Sequence, residues 1–361
     1  MSLRLLWLAA ALALACTAAD SRPARKPRTP QRTVADDSAP RYATREDAMR
    51  FADELAERHG LDADWVRERL GQARFRAAVT RAILPPPAGT PKNWAAYRAR
   101  FVEPRRIAAG LAFWQDNEAT LARAEALYGV PAAVVVGIVG VESIYGRHMG
   151  SFRVVDALAT LAFDFPEGRT DRSGFFRDEL EELFVLAANE RLDPLTLEGS
   201  YAGAMGMPQF MPSSVNRWAV DFDGDGRIDL REDAADVIGS VANFLAEHGW
   251  VRGLGTHFPV VAPDDGAERA VLLGPDIVPS FTRAEMALHG ALVGPLPEGF
   301  DGKLALVELE NGDAPPSYVA GTQNFYALTR YNWSSYYAMA VIELGAAVEA
   351  ARAARTSAPG V

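Results

Sequence analysis

The chain has a single cysteine, Cys16, so it cannot close an intramolecular disulfide and its fold rests on packing alone. It has no excess of positive charge: the net charge is −10, which argues against a general nucleic-acid role. It has no apolar run long enough to cross a bilayer, the run at residues 5–15 included. It has no internal repeat, no phosphate-binding glycine loop and no Ser/His/Asp pattern. His148 and His248 lack partners at metal-ligand spacing and read as structural.

What is present begins with a targeting segment. Arg4 precedes the apolar run 5–15 and small residues follow it, the pattern of a signal peptide cleaved after Ala15 or after Ala19 and taken here as residues 1–19. Ala15 before Cys16 suits a lipoprotein signal, whereas Ala13 stands where leucine is usual. Cys16 is therefore either an outer-membrane lipid anchor or part of the discarded peptide. Residues 20–41 carry four prolines and many arginines, and read as a disordered tether.

From about Arg45 apolar residues recur three and four apart, which predicts helices over REDAMRFADELAERHG, ADWVRERLGQAR and residues 104–127. Gly129 and Pro131 end one helix and begin the next, and Ser173 is a candidate cap for another. After Trp250, short runs such as FPVVAP, RAVLLG and KLALVELE alternate with turn residues and predict strands, with some helix near FTRAEMALHG. The chain returns to helix at SSYYAMAVIELGAAVEAARAA. The class is mainly α, with a small β-containing part (α+β).

Glu142 is conspicuous because it sits in the apolar run PAAVVVGIVGVESIYG, the only acid between Glu125 and Asp156. Burying an ionised carboxylate costs several kcal/mol, so the group must find partners or keep its proton. A carboxyl protonated near neutral pH is what acid-catalysed glycosidic cleavage needs; bracing nearby backbone is the other reading.

DFDGDGRIDLRE, residues 221–232, has the spacing of an EF-hand loop. Asp221, Asp223, Asp225, Asp229 and Glu232 fall at ligand positions, Arg227 offers its carbonyl, and Gly226 takes the sharp turn. Hard oxygen donors in this pattern suit a structural Ca²⁺. Sensor loops come in pairs, and this one is single.

GIVGVESIYGRHMG, GSYAGAMGMPQFMPSSVNRWAVDFDGDGRIDL and NFYALTRYNWSSYYAMAVIELG, in that order, resemble the lytic murein transglycosylase B family (glycoside hydrolase family 103) from about residue 45 to 353. The resemblance implies Glu142 as sole catalytic acid, with Ser200, Met205, Gln209, Phe210, Tyr331, Asn332 and Tyr337 along the sugar-binding groove. It also implies a lysozyme-like core with the calcium loop over residues 129–250. Around it lie a helical domain over 42–128, joined by a helix over 334–355, a β-containing subdomain over 251–313, and a return to the groove over 314–333. Peptidoglycan strands would be the substrate, in the periplasm of a Gram-negative bacterium, with cell-wall synthesis proteins as candidate partners. One departure stands out: the family's adjacent arginine pair after F-x-[YF]-P is replaced by EGRTDR, leaving Arg169 and Arg172 displaced.

Ordinary glycosidases use two carboxylates, and no second acid shares the Glu142 segment; Asp156 and Asp164 read as a cap or a surface charge. One acid suits substrate-assisted chemistry, in which the muramyl C6 hydroxyl closes a 1,6-anhydro ring without water. A muramidase that admits water, and a non-catalytic calcium-stiffened glycan-binding scaffold, are the two rival readings.

Overall fold

Apolar periodicity becomes helix along most of the chain. A computed structural model describes residues 40–85, 89 and 91–357; the predicted signal peptide, Cys16 and all but two residues of the tether lie outside the described residues. The helices are α1 Glu46–His59, α2 Ala63–Gly71, α3 Ala77–Ala82, α4 Trp94–Phe101, α5 Pro104–Asp116, α6 Glu118–Tyr128, α7 Ala132–Ser143 and α8 Val154–Phe163. They continue as α9 Ser173–Asn189, α10 Pro212–Trp218, α11 Ala234–Glu247, α12 Gly266–Leu273, α13 Arg283–Leu288, α14 Gln323–Tyr331 and α15 Ser335–Ser357. Among the described residues six strands accompany them: β1 Phe152–Arg153, β2 Glu198–Gly199, β3 His257–Val261, β4 Leu292–Val293, β5 Ala305–Asn311 and β6 Ala314–Gly321. Among the described residues no single helix is long and apolar enough to cross a membrane.

Contacts group the chain into two units, along lines other than the expected domains. The described residues up to Pro85 cluster with Gly150–Ala204, and those of Pro86–Met149 with Met205 onward. The expected helical domain 42–128 is thus divided after α3.

In the first unit α1 packs on α2 and α8 on α9. The Pro40 carbonyl accepts from Phe75 N at 3.1 Å. Asp156 is not a surface charge. Fully buried, it accepts from Arg74 N at 3.0 Å and pairs with Arg76 (2.6 Å) and Arg153 (2.5 Å). Such a satisfied hub offsets the cost of burying charge. Asp164 accepts from Tyr42 Oη and from Arg45, both at 2.6 Å. Ser173 opens α9 but does not cap it; Asp171 accepts its amide instead at 2.8 Å.

The second unit is built on α7, buried along almost its whole length and packed against α15, α5, α6 and α11. Glycines set the closest approach. A Cβ on Gly137 would lie 2.3 Å from the Val341 carbonyl, and one on Gly345 2.1 Å from that of Ala133. This antiparallel register, four residues further along each helix, brings residue 141 opposite residue 337.

The same unit carries the small β part, an antiparallel sheet of order β4-β3-β6-β5 over a core of Leu272, Met286, Leu304, Leu306 and Ala320. RAVLLG, expected as strand, is helical in α12: Asp265 caps it by accepting from Ala267 N at 2.7 Å, and Leu272 alone is buried. Residues 314–321, assigned to the groove, form β6. Pro315 and Pro316 hid it; they sit beside the register shift at Leu309/Asn311, where the ladder is already irregular.

Candidate active site

Glu142 lies in the last turn of α7, 8% exposed. Burial pushes its carboxyl up from 4.5 to about 7, and Tyr337 opposes the rise by favouring the charged form. Among the described residues no second carboxylate enters that balance. The α7–α15 register explains why Tyr337 is the opposing group. Its hydroxyl is buried beside Glu142 without completing a hydrogen bond of full geometry, and burial with the Glu142 charge holds it well above the ordinary tyrosine range. Tyr331 stacks on Tyr337 with centroids 6.2 Å apart and is raised likewise, by burial first and Glu142 second. Both phenols therefore stay neutral, and the Tyr337 hydroxyl, the one without a completed partner, can donate to the carboxylate.

The chain leaves α7 by a strained turn. Ile144 (φ 52°) and Tyr145 (φ 55°) are left-handed without being glycine. Such backbone costs about 1–3 kcal/mol per residue and is characteristic of functional sites. Ser143 Oγ, accepting from Gly146 N at 3.0 Å, and Ser143 O, accepting from His148 N at 2.8 Å, hold the turn.

Residues 205–210 form a second strained segment. Met205 and Phe210 close it by exchanging backbone hydrogen bonds of 2.8 and 3.1 Å. Gln209 stands at φ 52°, nine-tenths buried, its Nε2 donating to Gly206 O at 2.8 Å and Met149 O at 3.2 Å. Tyr331 Oη donates to Pro208 O. Met205 and Phe210 are buried, Phe210 against Phe244 (5.6 Å) and Tyr331 (5.7 Å), so they support the floor. Asn332 follows α14 as its C-cap, in extended backbone.

Seven of the eight residues expected at the site, Glu142, Met205, Gln209, Phe210, Tyr331, Asn332 and Tyr337, fall in one unit; Ser200 belongs to the other. There the Ser200 hydroxyl accepts from Ala204 N at 3.0 Å and shapes the turn 200–204. Arg169 donates to Ile83 O, and Arg172 lies over Phe175 at 4.6 Å. Arg169 also borders a cavity of about 380 Å³ with Phe163, Phe165, Glu167, Asp171 and Arg177. His248 is packed on Phe244 (4.0 Å) and Trp218 (4.5 Å).

Tyr97 and Arg106 escaped the sequence. Burial, then the Glu142 charge, raises the Tyr97 hydroxyl to about 12, so this residue of α4 feels the acid. Arg106 is buried with Nη1 3.4 Å from Val141 O and its Nε unpartnered. Neither carries a local signal; each reads as one more residue of an amphipathic helix far upstream.

The EF-hand is not confirmed as spaced. Among the described residues, the acidic oxygens that gather within 4.8 Å are those of Asp221, Asp223 and Asp236. Asp225, Asp229 and Glu232 do not join them: Asp229 Oδ1 accepts from Arg231 N and Glu232 N, both at 2.9 Å, and Glu232 points outward. Asp236 opens α11 and looks in sequence like an ordinary first-turn acid. It accepts from Phe222 N and Asp229 N, each at 2.7 Å, which folds the loop onto the helix. Three hard oxygens at this separation match a cation with contacts of about 2.3–2.6 Å.

The chain is similar to known proteins over most of its length. Residues 43–346 match the Transglycosylase SLT domain family. Membrane-bound lytic murein transglycosylase B of Escherichia coli (strain K12) is 40% identical over 322 residues, 86% of this chain and 85% of that protein. Soluble lytic transglycosylase SltB1 from Pseudomonas aeruginosa is similar at 40% identity and a TM-score of 0.77, over 85% of this chain and 99% of that one. The Escherichia coli lytic transglycosylase Slt35 in complex with calcium is similar at 38% identity and a TM-score of 0.74, over 86% and 95%. Sequence and fold agree over most of both chains, and on that ground the chain belongs to the lytic murein transglycosylase B family.

Proposed function

We propose that Glu142 is the one acid and base of a peptidoglycan lytic transglycosylase. The observation that carries the assignment is its carboxyl, held near pH 7 by burial with no second carboxylate in the balance. The family's reaction cleaves the MurNAc–GlcNAc bond without water and leaves 1,6-anhydro-MurNAc ends. Peptidoglycan strands are the substrate and the periplasm is where the enzyme meets them.

Protonated Glu142 gives its proton to the glycosidic oxygen as the C1–O bond breaks and the GlcNAc hydroxyl departs. The N-acetyl oxygen of the muramyl residue closes on C1 and holds the positive charge. The Glu142 carboxylate then takes the C6 hydroxyl proton, O6 bonds to C1, and the N-acetyl group is released. Atoms balance with no water consumed, and Glu142 ends protonated. An intramolecular hydroxyl has a high effective concentration, so it outruns solvent in an enclosed site. Tyr337, neutral and beside Glu142, supports the carboxylate form between the two steps. Gln209, Asn332 and Tyr331 stand as groups that orient sugar, and Ser200 is assigned to the same groove by resemblance.

The acidic cluster is proposed as a structural calcium site, with Asp221, Asp223 and Asp236 as side-chain ligands. Burial, and the negative neighbours Asp233 and Asp223, push the Asp236 carboxyl up; a bound cation relieves that repulsion. Cys16 is proposed as a lipid anchor, checked by metabolic labelling with a fatty acid.

The direct test digests purified peptidoglycan with the protein and with Glu142→Gln and weighs the muropeptides. Anhydro ends, lighter by one water than hydrated ends and absent with the variant, are expected. Hydrated reducing ends would identify a muramidase; binding without cleavage would identify a scaffold.

A further inference from the structure

Trp333 stands in the turn between α14 and α15, directly after Tyr331 and Asn332. More holds this indole than a turn requires. Its Nε1–H donates to Asp276 Oδ2 at 3.0 Å. Tyr326 meets its ring edge-on, centroids 5.9 Å apart. The Arg330 guanidinium lies 5.4 Å from the Trp333 centroid and 5.3 Å from that of Tyr326, and Arg330 Nη1 donates to Tyr326 Oη at 3.0 Å. Tyr326 and Arg330 are one turn apart on α14, and with Trp333 they remain partly exposed. Asp276 makes its contact from left-handed backbone, φ 58°, a conformation costly for a residue other than glycine.

The turn also couples this cluster to the acid. Ser334 N donates to Asn332 O at 2.7 Å, and Ser334 Oγ accepts from Tyr337 N at 3.3 Å, so the backbone beside Trp333 is fixed to the residue that faces Glu142. An aromatic ring left in part to water, with its edge nitrogen tied down, is a preorganised surface. The C–H face of a pyranose packs on such a ring, and the adjoining guanidinium and carboxylate match sugar hydroxyls and amides.

We propose that Trp333, braced by Asp276 and Arg330, is a stacking platform for a sugar residue of the glycan strand away from the bond that Glu142 cleaves. The proposal rests on the reading of the chain as a transglycosylase of peptidoglycan strands. Trp333 is on this view a specificity residue: it favours long strands over short ones and takes no part in proton transfer.

The test compares wild type, Trp333→Ala, Trp333→Phe and Asp276→Asn on peptide-free glycan strands of graded length, reading KM and kcat separately from anhydro-ended products. Trp333→Ala is expected to raise KM on long strands about tenfold, the equivalent of about 1.4 kcal/mol of contact, and thereby to erase the preference for long over short substrates. Trp333→Phe, which keeps a ring and the fold, should restore most of that preference, and Asp276→Asn should fall between. Equal loss on every strand length with either Trp333 variant, or a lowered melting temperature with the length preference intact, would overturn the platform. A wild-type enzyme that yields no anhydro ends would instead remove the transglycosylase reading beneath it, an outcome independent of either substitution.

Discussion

At the scale of single residues, the buried acid has a cost that can be measured apart from catalysis. Glu142 titrates near 4.5 in the unfolded chain and near 7 in the folded one. Between those values the unfolded chain gives up its proton while the folded protein keeps it. Stability contributed by the neutral form is therefore lost as pH rises from about 4.5 to about 7, and the penalty is complete above that. Glu142→Gln carries no such penalty. By calorimetry it should match wild type near pH 4 and exceed it by about 3 kcal/mol near pH 8, at 1.36 kcal/mol per pKa unit, while cleavage falls by about 10²–10⁴. Equal melting curves at both pH values would mean that the carboxyl is not buried as described. Tyr337→Phe removes the hydroxyl that favours the carboxylate, so the acid should hold its proton to higher pH. The alkaline limb of the pH–rate profile should move upward; a downward shift would contradict the role given to Tyr337.

At the scale of elements, the α7–α15 contact carries the site. Gly345→Ala would force a methyl toward the Ala133 carbonyl, and the helices must part. Overpacking of this kind costs about 1–3 kcal/mol. Because Tyr337 rides on the same helix, the variant should also lower kcat. Gly174→Ala in α9, whose Cβ meets nothing within 4 Å, is the control and should leave the melting temperature unchanged or raised. The acidic loop gives a separate prediction. If calcium binds the native loop, the melting temperature should climb with calcium concentration, gaining about 2.7 kcal/mol at a hundred times Kd. Asp236→Asn should abolish the gain, whereas Glu232→Gln should preserve it. The reverse order would restore the ligand set expected from loop spacing, and no shift in wild type would end the proposal.

At the scale of the whole molecule, the chain's periodicities told much of its architecture. Glu142 was visible because a lone acid in an apolar run is costly wherever it folds, and α7 appears where that run predicted. Tyr331 and Asn332 stood out through a motif, and the structure places them at the end of α14. Tyr97, Arg106 and Asp236 were not visible, since their significance comes from tertiary neighbours 35 or more residues distant for the first two and from a loop folding back for the third. RAVLLG misled because a short apolar run has no period of its own, and the Asp265 cap decided for helix. β6 was lost to its two prolines. The division of the chain into units depends on contacts between distant segments, which no local pattern encodes.

The pairing of α7 with α15 also dictates an order of events during folding. Helix α7, buried on nearly every side, finds one of its main partners only in the last described helix, about two hundred residues later. Until that partner is delivered, a nearly wholly apolar helix lacks its largest covering surface, and the loop that must close is long. The core is therefore completed late, after α15 has emerged. A chain cut before Ser335 should collect in the insoluble fraction and show no cooperative melt, and refolding of the intact protein from denaturant should be slow and prone to aggregate at high concentration.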